Sequence, residues 1–137
     1  RETLWNSKAL SSDVTAALNP VFKSVHDMEN VARLSYGLAF AKYTGSRGKV
    51  MANDADAEFI QEIRQIFDKN DIKYQSGGFG KVDEGGGGTV AKFLAYYGIR
   101  TIDAGPALLS MHSLFEISSK ADLYETYRAY KVFFELK

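Results

Sequence analysis

Apolar and polar positions alternate in blocks along this chain, and their periods predict the elements. Residues 7 to 18, "SKALSSDVTAAL", combine small and β-branched residues with one acid, Asp13, inside the pattern. They predict a strand that ends in a loop at Asn19-Pro20, because proline cannot continue a central ladder. "VFKSVHDMENVARL" is polar and irregular and predicts a surface loop. "YGLAFAKYTG" alternates from Tyr36 onward as a strand does, and "SRGKVMAN" predicts a loop. A helix is expected from Asn53-Asp54, either of which can cap its first turn. Phe59, Ile60, Ile63, Ile66 and Phe67 then follow at helical spacing. Asn70 is its expected stop, and "IKYQS" a short strand.

The most biased stretch, "GGFGKVDEGGGGT", runs from Gly77 to Thr89. Thr89 can cap a helix with an apolar face of Val90, Phe93, Leu94 and Tyr97, closed by a left-handed Gly98. "IRTIDAG" reads as a buried strand, so strand, helix and strand here predict a parallel βαβ unit. Ser119 and Asp122 resemble a capping pair for a last helix facing inward with Leu123, Tyr127, Tyr130 and Phe134. Alternating strands and helices place the chain in the α/β class, with helices on both sheet faces.

Composition narrows the function. The 137 residues fit one domain, able to bury roughly 70% of the extended-chain surface. Formal net charge is zero, so no basic field exists to hold nucleic acid or an anionic membrane. No cysteine is present, which excludes disulfides, thiolate metal sites and cysteine nucleophiles and agrees with a cytoplasmic location. No apolar run approaches the ~20 residues of a membrane helix. "RETLWNSK" has neither an initiator Met nor an apolar signal core, and is expected to come from within a longer product.

Three features carry candidate chemistry. "GGFGK" fails as a phosphate loop, because Gln75 stands where the first glycine is needed and Val82 where Ser or Thr should follow the lysine. A linker or simple turn and a ligand-binding loop both remain open for this stretch. Loops at the carboxyl ends of strands in α/β sheets are where ligands bind. Asp13 must be exposed, paired or on a metal, since a buried lone carboxylate is costly. His112, in "LLSMHSLFE", is either a core histidine or a ligand, and carboxylate with imidazole is an ordinary zinc donor pair. His26 has no role assigned from the sequence, and neither has Asp83.

Taken in order, "NSKALSSDVTAALNP", "KYTGSRGK", "NDADAEF", "GKVDEGGGGTVAKFLAYYGIRTID" and "LLSMHSLFEISSKADLYETYRAYKVFFE" resemble the C-terminal part of the catalytic domain in the aspartyl-aminopeptidase and vacuolar-aminopeptidase family of two-zinc peptidases, in its bacterial branch. The resemblance runs from about Asn6 to the end. It implies a three-layer α/β/α zinc-peptidase-like fold with a mixed sheet. It implies an aminopeptidase that removes the N-terminal residue of a peptide substrate, with a preference for acidic residues as one possibility. Two divalent metals, expected to be zinc, would polarise the scissile carbonyl and activate water. Asp13 matches the terminal carboxylate ligand of one metal and His112 the histidine ligand of the other. Lys42 matches a lysine beside the substrate pocket, and Gly87, Gly88 and Thr89 match the loop that lines it. The resemblance also implies a homo-oligomer.

Four family features are not found in these 137 residues: the S-H-x-D motif, the bridging aspartate, the Glu-Glu pair that includes the general base, and the dimerisation insert. The expectation is therefore residues 1–137 as the C-terminal part of a catalytic domain, retaining no catalytic metal and hydrolysing nothing alone. Exposed sheet edges and apolar faces should accompany this, and promote association. A non-catalytic binding or scaffold protein with a peptidase-like fold is the alternative.

Overall fold

The computed structural model describes residues 1–47, 50–81 and 83–136. Its elements in chain order are α1 (Glu2–Trp5), β1 (Lys8–Ser11), β2 (Thr15–Ala16), β3 (Leu38–Ala41), β4 (Tyr43–Ser46), β5 (Val50–Asp54), α2 (Ala57–Lys69), β6 (Tyr74–Ser76), β7 (Gly86–Gly87), α3 (Ala91–Tyr96), β8 (Arg100–Gly105), β9 (Ala107–Leu109), β10 (Ile117–Ser118) and α4 (Lys120–Phe134), with one turn of 3-10 helix at Lys23–Val25. Among the described residues the strands form a central sheet in the order β1-β8-β3-β6 and two small sheets, β10-β9-β2 and β5-β4-β7. In the central sheet β1 runs parallel to β8 and β3 parallel to β6, while β3 and β8 are antiparallel. The mixed α/β class expected from the sequence is what the chain adopts.

Residues 7 to 18 form two strands where one was expected. β1 pairs with β8 as far as Ser11↔Asp103, and β2 pairs with β9 from Thr15↔Ala107. Both pairings are parallel and keep the same register offset, so the two chains run side by side through a shared break at 12–14 and 104–106. Pro106 supplies the break on one side, since it has no N–H to give a ladder.

Side chains alternate across β8 and β3. Leu38, Phe40, Ile102 and Ala104 point to one face and meet Phe59, Ile63 and Phe67 of α2, all three fully buried. Each such side chain contributes about 1.5–3 kcal/mol. The expected helical stripe of α2 is therefore its inner face, with Ile60 and Ile66 at the margin. The helix starts later than expected. Asp56 Oδ1 accepts from the Phe59 N–H at 2.8 Å, because Asn53 and Asp54 are drawn into β5. That strand replaces the second half of the loop expected over "SRGKVMAN", whose residues 48 and 49 lie outside the described ones. Asn70 ends the helix as expected.

Two expectations about topology and facing are corrected. β6 and β8 do not form a parallel βαβ pair. β3 lies between them, and the parallel crossover is β3 to β6 through α2. On α3, Val90, Phe93 and Tyr97 are exposed, and Ala91 is the residue packed inward. On α4, Leu123, Tyr127 and Phe134 are exposed, while Asp122, Thr126 and Ala129 are buried, with Tyr130 and Phe133 beside them.

The reason for the α4 reversal is polar. Ser119 caps the helix, accepting from the Ala121 N–H at 3.2 Å. Asp122 does not complete a capping pair. Its carboxylate accepts from the N–H groups of Gly37 at 2.7 Å and Ser35 at 2.8 Å, just before β3. Gly37 (φ +92°) is required there, since a Cβ would sit 2.1 Å from the Lys73 carbonyl oxygen. Asp122 thus fixes which face of α4 turns inward. Exposed Trp5, Phe22, Tyr96, Leu114 and Phe115 add to the apolar surface of the chain.

Asp122→Ala leaves two backbone donors without their acceptor. It should lower stability by about 2–3 kcal/mol in chemical denaturation, whereas Leu123→Ala, on the exposed side, should stay within about 0.5 kcal/mol. Equal losses from both would contradict this account.

Candidate functional site

The shared break between the strand pairs places Asp13. Its Oδ1 accepts from the Val14 N–H at 2.8 Å, and the Thr15 N–H reaches the Pro106 carbonyl at 3.3 Å. A Cβ at Gly105 would lie 2.0 Å from the Asp13 carbonyl oxygen, so only glycine admits this crossing. Asp13 is half-buried in the break, not inside a strand as expected, and carries no full burial penalty. Tyr130 of α4 closes the underside. Its hydroxyl donates to the Ala104 carbonyl at 2.5 Å, and burial, with Asp13 and Asp103 nearby, pushes its pKa up to about 12.

Asp103 was not singled out from the sequence. It is buried in the middle of β8, and desolvation raises its pKa. The hydroxyls of Ser11 and Thr89 oppose that shift, and the charge of Asp13 adds to it. The Thr89 hydroxyl donates to Asp103 Oδ2 at 2.9 Å and accepts from the Ala91 N–H at 3.3 Å. Thr89 therefore does help to start α3, as expected, while also being held from below. The available signal was an acid in the short apolar core of "TIDAG".

The glycine-rich stretch is bound into the fold at several points. Gly86 (φ +101°) brings its Cα against the Gly45 carbonyl, where a Cβ would stand 2.1 Å away, and Gly87 pairs with Gly45 across β4 and β7. Space beside Gly87 is open within 4 Å, whereas a Cβ at Gly88 would meet Met51 at 2.7 Å. Thr89 is buried.

A cleft of about 600 Å³ opens at the carboxyl ends of the parallel strands β3 and β6. Lys42, Tyr43, Gly78, Phe79 and Lys81 are on its wall, with Arg64 and Tyr74 on another side. Gly86 borders it, but Gly87, Gly88 and Thr89 do not. The exposed Lys42 ammonium is ion-paired with Asp54.

His112 is exposed in the turn between β9 and β10, at φ +68°. Its N–H donates to Glu116 Oε1 at 2.5 Å. Asp13 precedes β2, and His112 follows β9, so they stand beyond opposite ends of this short parallel pair. Among the described residues, no group of three or more His, Cys, Asp or Glu could hold a metal ion. Asp83 is exposed and its role stays unassigned.

His26, expected in a surface loop, is 7% exposed. Its Nε2 accepts from the Asn19 N–H at 3.1 Å, and desolvation lowers its pKa. The loop around it is not wholly surface either. Val31 and Ala32 are buried, and Ala32 bridges to Ala17.

The sequence profile of a family described as aminopeptidase I zinc metalloprotease (M18) matches residues 1–134. A probable M18 family aminopeptidase 1 of Borrelia garinii subsp. bavariensis is 62% identical over 98% of this chain, which corresponds to 30% of that protein. The crystal structure of the M18 aminopeptidase from Thermotoga maritima superposes with a TM-score of 0.91 at 55% identity, over 96% of this chain and 29% of that one. The S. cerevisiae mApe1 dodecamer matches with a TM-score of 0.74 at 25% identity, over 96% of this chain and 27% of that one. The chain thus spans about 30% of the length of the curated relatives it matches.

The His26 shift has a definite sign. The folded state disfavours the protonated ring, so the unfolded state binds more protons below its pKa of about 6.5. Stability should be level with respect to this group above that pH and fall as pH drops through 6.5 towards the lowered folded pKa. Melting curves of wild type and His26→Gln between pH 5 and 8 check this. A wild-type slope no steeper than that of the variant would contradict it.

Proposed function

This chain belongs to the aminopeptidase I zinc metalloprotease (M18) family, and on that premise we propose that residues 1–137 supply the C-terminal part of the catalytic domain of a zinc-dependent aminopeptidase. The observation that carries the reading is the family match across residues 1–134, together with the strand break that presents Asp13. Asp13 would give one carboxylate to one metal, and His112 one imidazole to the other. These are suitable donor types for zinc. They do not fit a two-zinc centre by themselves, because no metal-holding group exists among the described residues. On this reading one carboxylate and one imidazole hold zinc weakly, and the chain alone retains no catalytic metal and hydrolyses no peptide. The remaining ligands and the general base would come from a longer polypeptide of the relatives' length.

The substrate side of the proposal rests on the cleft and the glycine loop. Lys42 would meet the side chain of the substrate's first residue. Its partner Asp54 has to be displaced for an acidic residue to take the ammonium, so any acidic preference depends on that exchange. Gly87, Gly88 and Thr89 would line the substrate path with backbone groups, and the open space beside Gly87 is consistent with that use. Assembly into a homo-oligomer and a cytoplasmic location belong to the same proposal. The mApe1 relative is a dodecamer, and no described helix is long and apolar enough to cross a membrane.

Zinc added to the isolated chain should leave no stoichiometric ion after gel filtration, and one or two tightly held ions per chain would contradict the proposal. In the longer polypeptide, wild type should hydrolyse aminoacyl substrates in a chelator-sensitive manner. Asp13→Ala and His112→Ala should each lower kcat/KM by roughly a hundredfold or more. Absence of hydrolysis by the metal-loaded wild type would favour the non-catalytic scaffold instead.

A further inference from the structure

Asp103 is the buried group on which the proposed site segments converge. It lies mid-sheet, in register with Ser11 on β1 and with Ala41 on β3. Ser11 is two residues before Asp13, and Ala41 is one residue before Lys42. From the third side, the Thr89 hydroxyl at the end of the glycine loop donates to Oδ2 at 2.9 Å. Oδ1 and the Ser11 hydroxyl are both buried, and neither has a hydrogen-bond partner among the described residues. Ser11 and Asp103 are register neighbours in adjacent parallel strands, so two buried, unpartnered polar groups share one place in the sheet.

A carboxylate in such a place opposes folding unless its partners compensate it, and an apolar residue of similar size would fill the space without that cost. Retaining an acid here ties together groups from different elements in a way an apolar side chain does not. A hydroxyl aimed at a fixed carboxylate has one favoured position, whereas apolar contacts tolerate sliding.

We propose that Asp103 is a positioning residue whose buried carboxylate holds the Asp13 segment, through Ser11, and the glycine loop, through Thr89, in fixed relative placement. The identification of those two segments as metal-binding and substrate-lining rests on the aminopeptidase reading, but the tether itself does not. Asp103 touches neither metal nor substrate in this arrangement. It acts through Ser11 and Thr89.

Backbone amide exchange of the chain, read residue by residue, tests the tether without any activity measurement. Asp103→Ala should speed exchange at Val14 and Thr15 and across residues 86–91 by about tenfold or more, while the α2 amides from Ile63 to Phe67 keep their rates. Asp103→Asn, which keeps an acceptor in the same shape, should return both segments towards wild type. Ser11→Ala should loosen the first segment only, and Thr89→Val the second only. These two milder variants decide the matter even if Asp103→Ala does not fold. A rise spread evenly over the molecule, α2 included, would reduce Asp103 to general stability and overturn the proposal. So would rates at both segments that do not respond to Ser11→Ala and Thr89→Val. Failure of the peptidase reading would leave these rates standing, and unresponsive rates would leave the peptidase reading standing.

Discussion

The contact between the Asp13 carbonyl and Gly105 is the constraint on which the rest of the structure depends. Two parallel strands, β1 and β8, have to leave the central sheet together and continue as β2 and β9 in a smaller one. They do so only because the chains can touch where the ladder is interrupted. A Cβ at Gly105 would occupy the space of the Asp13 carbonyl oxygen. Proline at 106 removes the donor that would otherwise extend β8. The consequence is a half-buried carboxylate at a sheet edge, with Tyr130 beneath it and His112 at the far end of the smaller sheet.

Buried polar groups decide much of what the apolar pattern leaves open. Asp122 is fully buried, and its two backbone donors set the rotation of α4. Asp103 is buried by the sheet and answered by Thr89. His26 is buried as a neutral acceptor for the Asn19 N–H. For Asp122 and His26 a polar side chain replaces a missing backbone partner, as buried N–H groups require. On α4 the apolar residues nearby, Leu123 and Tyr127, are left facing outward.

Legibility followed physical range. The face of α2 was readable because one helix buries Phe59, Ile63 and Phe67 against a sheet, and its period is local. β3 was readable from alternation, β6 as the short segment after the stop at Asn70, and β8 from its short apolar core. The helices α3 and α4 were readable but their inner faces were not, because their aromatic residues look like a core face to any periodicity argument, whereas their buried residues are Ala91 on α3 and Asp122, Thr126 and Ala129 on α4. β5 was missed because "VMAND" carries a cap signal at its end, and pairing with β4 outweighs it. The family resemblance marked Asp13, Lys42, Gly87, Gly88, Thr89 and His112, whereas Asp103 showed only as an acid in a short apolar run, because its hydrogen-bond partner Thr89 is 14 residues away and its register neighbour Ser11 is on a separate strand.

The sequence by itself determined the α/β class, the amphipathic α2, the caps at Asn70, Gly98 and Ser119, the exclusion of thiolate chemistry, and the family. Each depends on residue type and near-neighbour spacing. Tertiary structure alone decided that β3 separates β6 from β8, that α4 turns Asp122 inward, that His26 is buried, and that Asp103 lies under the segments of Asp13 and Thr89. These depend on which distant backbone groups need a partner, and that is fixed only when the strands have found their register.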